Sequence, residues 1–164
     1  MTRRTLAVAA TSMLLLISAA PALATTSKIL TEDTEVVTGV DPGVYAYDPL
    51  TGVLSLRGEV HYGDFTAITR WPDGDVTDSG TQVGTFNFDV SLSTGVGTFW
   101  GSTELHFAAG TGFRCTYEGT LPAATGHSVC HGYGDLRGTQ TRGDFWVTAT
   151  GTASTGYLFV PGDK

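Results

Sequence analysis

Gly84-Thr85-Phe86-Asn87-Phe88-Asp89-Val90-Ser91-Leu92-Ser93-Thr94-Gly95-Val96-Gly97-Thr98-Phe99-Trp100 is the stretch that decides the fold. Phe86, Phe88 and Val90 alternate with Thr85, Asn87 and Asp89 at the two-residue period of a strand with one apolar face. Ser93-Thr94-Gly95 supplies a turn and residues 96–100 the returning strand, so the segment reads as a β-hairpin.

The same grammar extends in both directions. Upstream, Leu54, Leu56, Val60 and Tyr62 alternate with Ser55, Arg57, Glu59 and His61, and Gly58 interrupts the pattern as a bulge or bend would. Residues 65–70 read as the next strand, and Trp71-Pro72-Asp73-Gly74-Asp75 as a turn. Downstream, strands are expected over 103–107, 113–118, 128–131, 135–139, 145–150 and 152–160. No stretch beyond the N-terminal apolar run repeats apolar residues at helical spacing over three turns. Short strands at this spacing predict an all-β domain, a single antiparallel β-barrel first and a β-sandwich as the alternative.

At the N-terminus, Arg3-Arg4 precedes an apolar run over 6–20, and Ala22-Leu23-Ala24 offers small residues where a signal peptidase cuts. Residues 1–24 therefore read as a signal peptide cleaved after Ala24, too short and wrongly flanked for a membrane span. The paired arginines also suit the twin-arginine route, but the general secretory route is favoured. No cysteine near the cut offers a lipid anchor, so a soluble, secreted product is expected, without membrane anchoring. Residues 25–42 read as a loosely ordered leader or an edge strand around Val36-Val37, and 43–164 as the barrel domain.

Cleavage would remove two of nine basic residues and none of the sixteen acidic ones, leaving a formal charge of −9. An acidic surface argues against nucleic acid and anionic membrane as partners. All 22 glycines lie beyond the signal, where they suit strands and tight turns. Cys115 and Cys130, an even pair bound for an oxidising compartment, are expected to form a disulfide across a hairpin turning at residues 120–126.

Gly-Thr pairs recur at Gly84-Thr85, Gly97-Thr98, Gly119-Thr120, Gly138-Thr139 and Gly151-Thr152, and glycines of this kind permit the coiling of a closed barrel. With Gly95-Val96-Gly97-Thr98-Phe99, Glu118-Gly119-Thr120 and the run Gly132-Tyr133-Gly134-Asp135-Leu136-Arg137-Gly138-Thr139, the segment 83–152 resembles the glycine-spaced hairpins of allene-oxide-cyclase-like barrels, the group that includes dirigent proteins. The resemblance implies a closed barrel with an apolar cavity and cofactor-free cyclisation or coupling. It transfers no catalytic residue, because the matching positions are glycines and threonines, and avidin-like and lipocalin-like barrels stay open.

Among chemistry-bearing groups, Glu59-Val60-His61 and Glu104-Leu105-His106 each place a carboxylate and an imidazole on one strand face. Turned inward together, these four would be acid–base candidates or a metal site; turned outward, they are solvated pairs. Gly126-His127-Ser128-Val129-Cys130 is a poor nucleophile elbow, since no helix follows Ser128. Asp73, Asp75 and Asp78 lack the EF-hand spacing, and Arg142-Gly143-Asp144 spells an adhesion tripeptide that a charged hairpin yields by chance. Tyr62, Trp100, Phe107 and Trp146 are the candidate ligand-contacting rings.

These residues point first to a secreted, disulfide-stapled barrel that binds a small apolar molecule without a cofactor. The alternatives are a cofactor-free cyclase or isomerase using Glu59, His61, Glu104 and His106, and an interaction or structural protein with a filled core.

Overall fold

The computed structural model describes residues 26–107 and 110–161. The expected signal peptide lies outside these residues. The strands are β1 (Ser27–Asp41), β2 (Val44–Asp48), β3 (Val53–Trp71), β4 (Gly74–Ser91), β5 (Gly97–His106), β6 (Gly112–Leu121), β7 (Thr125–Tyr133), β8 (Gln140–Val147) and β9 (Gly151–Val160). From β3 to β9 each strand pairs antiparallel with the next, β9 pairs with β1, and β1 pairs with β3. Eight strands thus close an antiparallel barrel, and β2 lies outside it along the start of β3. Closure by β1 makes a barrel rather than a sandwich, and it leaves these eight staves paired on both sides.

The hairpin that decides the fold forms as β4 and β5, with Val90 opposite Gly97 and Gly95 at a φ of +70° in the turn. Several stretches differ from expectation: residues 54–62 and 65–70, read as successive strands, are the single β3, and 96–100 and 103–107 are the single β5. Ser27–Asp41, in the stretch read as a loose leader or an edge strand around Val36-Val37, form β1, hydrogen-bonded to β3 on one side and β9 on the other. Its partners are distant in sequence and its inward face mixes Ile29 with Thr31, Asp33 and Glu35, so apolar alternation marks it only weakly. The segment 135–139 is a 3-10 turn (Gly134–Leu136) and loop, because Gly134 and Gly138 adopt left-handed φ values of +62° and +93°, outside strand geometry. The strand expected over 145–150 begins earlier, at Gln140, and ends at Val147.

A bulge in β3 decides which side chains enter the barrel. Leu56 faces Phe88 and Glu59 faces Phe86, so Arg57 and Gly58 stand opposite the single residue Asn87. Gly58 takes a φ of +68°, and its amide donates to Asn87 Oδ1 at 2.9 Å. One extra residue exchanges the two faces of everything beyond it. Leu56 is buried, but after the bulge Glu59 and His61 turn inward while Tyr62 turns out.

Ile29, Phe65, Leu105, Phe113, Leu158 and the bonded Cys115–Cys130 pair form a buried apolar cluster inside the barrel, with Phe107, Leu136 and Val160 against it. The two cysteines face each other in register across β6 and β7, as the hairpin reading requires. Toward solvent the wall is charged, with pairs Arg57–Asp89, Arg70–Glu32 and Arg114–Glu104. No helix among the described residues is long and apolar enough to cross a membrane.

Candidate functional site

The barrel is not filled. A cavity of about 740 Å³ runs inside it, bordered by Trp71 and Leu136 on one side and by the β8–β9 turn, residues 148–150, on the other. Six phenylalanines line it: Phe65, Phe86, Phe99, Phe107, Phe113 and Phe145. They pack edge-on or tilted, with Phe99 5.9 Å from Phe145 and 5.7 Å from Phe86 between ring centroids.

Space for these rings comes from glycines on adjacent strands. Phe65 is the register partner of Gly80, Phe99 of Gly119, Phe145 of Gly126 and Tyr117 of Gly101. A Cβ on Gly80 would come within 2.8 Å of the Phe65 ring, so each ring lies where a neighbouring side chain would otherwise stand.

Polar groups enter on β1, β3, β4 and β6. Asp33 accepts a hydrogen bond from Ser154 Oγ, and Glu35 Oε2 accepts one from Thr152 Oγ1 at 2.7 Å. Gln82, buried, also donates to Glu35. Burial pushes both carboxyls above the ordinary carboxylate range, hydrogen bonding offsets part of that, and the Asp33 charge pushes Glu35 further. Tyr117 donates to the Thr85 carbonyl at 2.7 Å, and burial raises its phenol, with Glu35 and Glu59 adding to the effect.

The first Glu/His dyad lies at this wall. His61 Nε2 is 2.6 Å from Glu59 Oε1, and its ring stacks on Phe86 at 5.6 Å. The second dyad is on the outer wall, where Arg114 Nε donates to Glu104 Oε1 at 2.9 Å and His106 Nδ1 meets the Tyr133 hydroxyl at 2.7 Å. The four groups therefore do not meet. β5 sends Phe99, Thr103 and Leu105 inward, and Glu104 and His106 fall on the opposite parity.

Of the four candidate rings, Phe107 lines the cavity. The other three face out. Tyr62 donates to Asp41 Oδ2 at 2.8 Å, Trp100 lies under the Arg57 guanidinium at 4.8 Å, and Trp146 is 44% exposed. Ser128 lies on the inner wall within β7, and Arg142-Gly143-Asp144 runs through the middle of β8 rather than a hairpin. Asp75 pairs with Arg70. Among the described residues no three His, Cys, Asp or Glu groups gather as metal ligands.

Asp33, Glu35, Gln82 and Tyr117 were not singled out by sequence reasoning. The signal was present as the two-residue period Thr31, Asp33, Glu35, but polar residues at that period read equally well as a solvent face. No protein-family model matches the chain, and no curated protein matches it in sequence.

Proposed function

We propose that this is a secreted carrier or receptor barrel that encloses one small, largely apolar molecule and needs no cofactor to do so. The observation that carries the reading is the cavity: about 740 Å³ walled by six phenylalanines falls within the roughly 300–1,000 Å³ of small-molecule sites. Desolvation of the ligand against those rings would supply most of the affinity. Secretion is supported by the N-terminal sequence and by the disulfide, a bond that persists in oxidising compartments.

A second reading has one specific observation behind it. Glu59 and His61, 2.6 Å apart at the cavity wall, could move a proton on an enclosed substrate, as a cofactor-free cyclase or isomerase of the allene-oxide-cyclase-like kind would require. One of the pair would take a proton from the substrate and the other would return it at a second substrate atom, while the phenylalanines hold the substrate folded.

Native mass spectrometry of protein purified from its own culture medium tests the carrier reading. A non-covalent adduct of a few hundred daltons, lost on denaturation, on a chain beginning at Thr25 is the expected result. Bare polypeptide that also takes up no apolar probe would overturn it. A ligand of one mass whose chromatographic retention after extraction differs between Glu59→Gln and wild-type protein would move the assignment to the enzyme.

A further inference from the structure

Resting on the carrier reading, we propose that the molecule this cavity takes is a cation on an apolar body, an amphipathic amine whose ammonium sits against Asp33 and Glu35 while its hydrocarbon packs on the phenylalanine wall. Three observations converge on that chemistry. The first is charge balance. Asp33, Glu35 and the Glu59–His61 pair enter the barrel, whereas Lys28 stacks on Tyr157, Arg57 binds Asp89, Arg70 binds Glu32 and Asp75, and Arg114 binds Glu104, all outside it, and Arg137 is exposed just after the 3-10 turn. Arg142 borders the cavity through β8 but lies opposite Val129 and Tyr157 in the outward register, and its Nε donates to Gln140 Oε1 at 2.9 Å.

The second is the company the two carboxyls keep. Their hydrogen-bond donors among the described residues are the hydroxyls of Ser154 and Thr152 and the amide of Gln82, all neutral. A carboxylate taken out of water is ordinarily paired with a cation. Here no cation among the described residues pairs with them, while the cavity leaves space beside the acids. Burial holds both groups partly against ionisation, the state that an arriving ammonium would reverse.

The third is the wall itself, because phenylalanine faces attract ammonium groups as well as hydrocarbon. Among the described residues no lysine points into the cavity and Arg142, which borders it, lies in the outward register, so an incoming carboxylate or phosphate would meet the like charge of the acids. The acids are strung along β1 rather than gathered around one point, which suits a single ammonium with several acceptors better than a divalent ion.

The test uses full-length mature protein freed of bound ligand, loaded with the neutral fluorophore N-phenyl-1-naphthylamine, and displaced by decylamine, decanol and decanoate, which share one chain length. Decylamine is expected to displace the probe at a concentration lower than decanol by about tenfold or more, the size of one charge-assisted hydrogen bond, with decanoate weakest. Glu35→Gln, and separately Asp33→Asn, should erase most of that preference while leaving probe affinity within about twofold, and Glu104→Gln on the outer wall should leave it intact. Equal displacement by the three compounds, or a lead for decanoate, would overturn the amine assignment while the carrier reading stands. A probe that does not enter the wild-type barrel would overturn the carrier reading, and the amine with it.

Discussion

The ring of Phe145 on β8 lies over Gly126, its register partner on β7, where a Cβ would come within 2.7 Å of Phe145 Cζ. The same relation joins Phe65 to Gly80 and Phe99 to Gly119. The inner wall is thus built of ring-and-glycine pairs across neighbouring strands, which lets large residues lie along the wall instead of pointing to the axis. A barrel of eight strands has an interior only wide enough for side chains or one small ligand, so the direction of the rings decides between the two.

Gly126→Val should therefore destabilise the protein by about 1–3 kcal/mol, because a side chain there runs into the Glu118 carbonyl and the Gly119 backbone as well as the Phe145 ring. Gly39→Ala is the control, since its nearest neighbour is the Tyr62 ring at 3.8 Å and its φ is ordinary. Urea unfolding should show it within about 0.5 kcal/mol of wild type.

Reduction of Cys115–Cys130, or the double substitution to Ala, should cost on the order of 3 kcal/mol, as expected for a closed loop of 15 residues. The unfolding midpoint with and without reductant measures it. An unchanged midpoint would mean that the β6–β7 hairpin is already confined in the unfolded chain.

Phe99→Ala should lower stability by about 3–5 kcal/mol, since Phe99 is 2% exposed and packs on Phe86 and Phe145. Trp146→Ala, on the outer wall, should change it by far less, and should leave uptake of N-phenyl-1-naphthylamine unchanged.

Stability of the ligand-free protein should rise on acidification from about pH 7 toward about pH 5. Asp33 and Glu35 are raised above their ordinary values of 3.8 and 4.5, so across that interval the folded state binds more protons than the unfolded one. The charged and titrating groups facing them are each other, Glu59, His61, Tyr117 and Asp78, which lies beyond Ala67 in the row of Asp33. Asp89, lowered by Ser55 and Arg57, acts in the opposite sense only at more acid pH. Glu35→Gln should raise stability at neutral pH and flatten the slope, read from urea midpoints across the range; a slope unchanged by both Glu35→Gln and Asp33→Asn would show these acids ionised at ordinary cost.

Local chemistry determined much of this protein in the sequence itself. The hairpin at residues 84–100, the pairing of Cys115 with Cys130 and the interruption at Gly58 follow from alternation, turn residues and left-handed glycine, each settled within a few neighbouring positions. Side-chain direction did not, because it depends on counting residues from a fixed point, and the extra residue at the bulge reversed the count for Glu59, His61 and Tyr62. Glu59-Val60-His61 and Glu104-Leu105-His106 have the same spacing, yet one faces the cavity and the other faces solvent. The closing role of β1, read only as a possible edge strand at Val36-Val37, was not visible, because its partners lie far along the chain and Thr31, Asp33 and Glu35 interrupt its inward apolar pattern. Sequence alone therefore determined an all-β chain, its hairpins and its disulfide. Only tertiary closure decided that Asp33 and Glu35 would line the interior with no cation paired to them among the described residues, since a polar strand face becomes an interior when the sheet curls and the first stave pairs with the last.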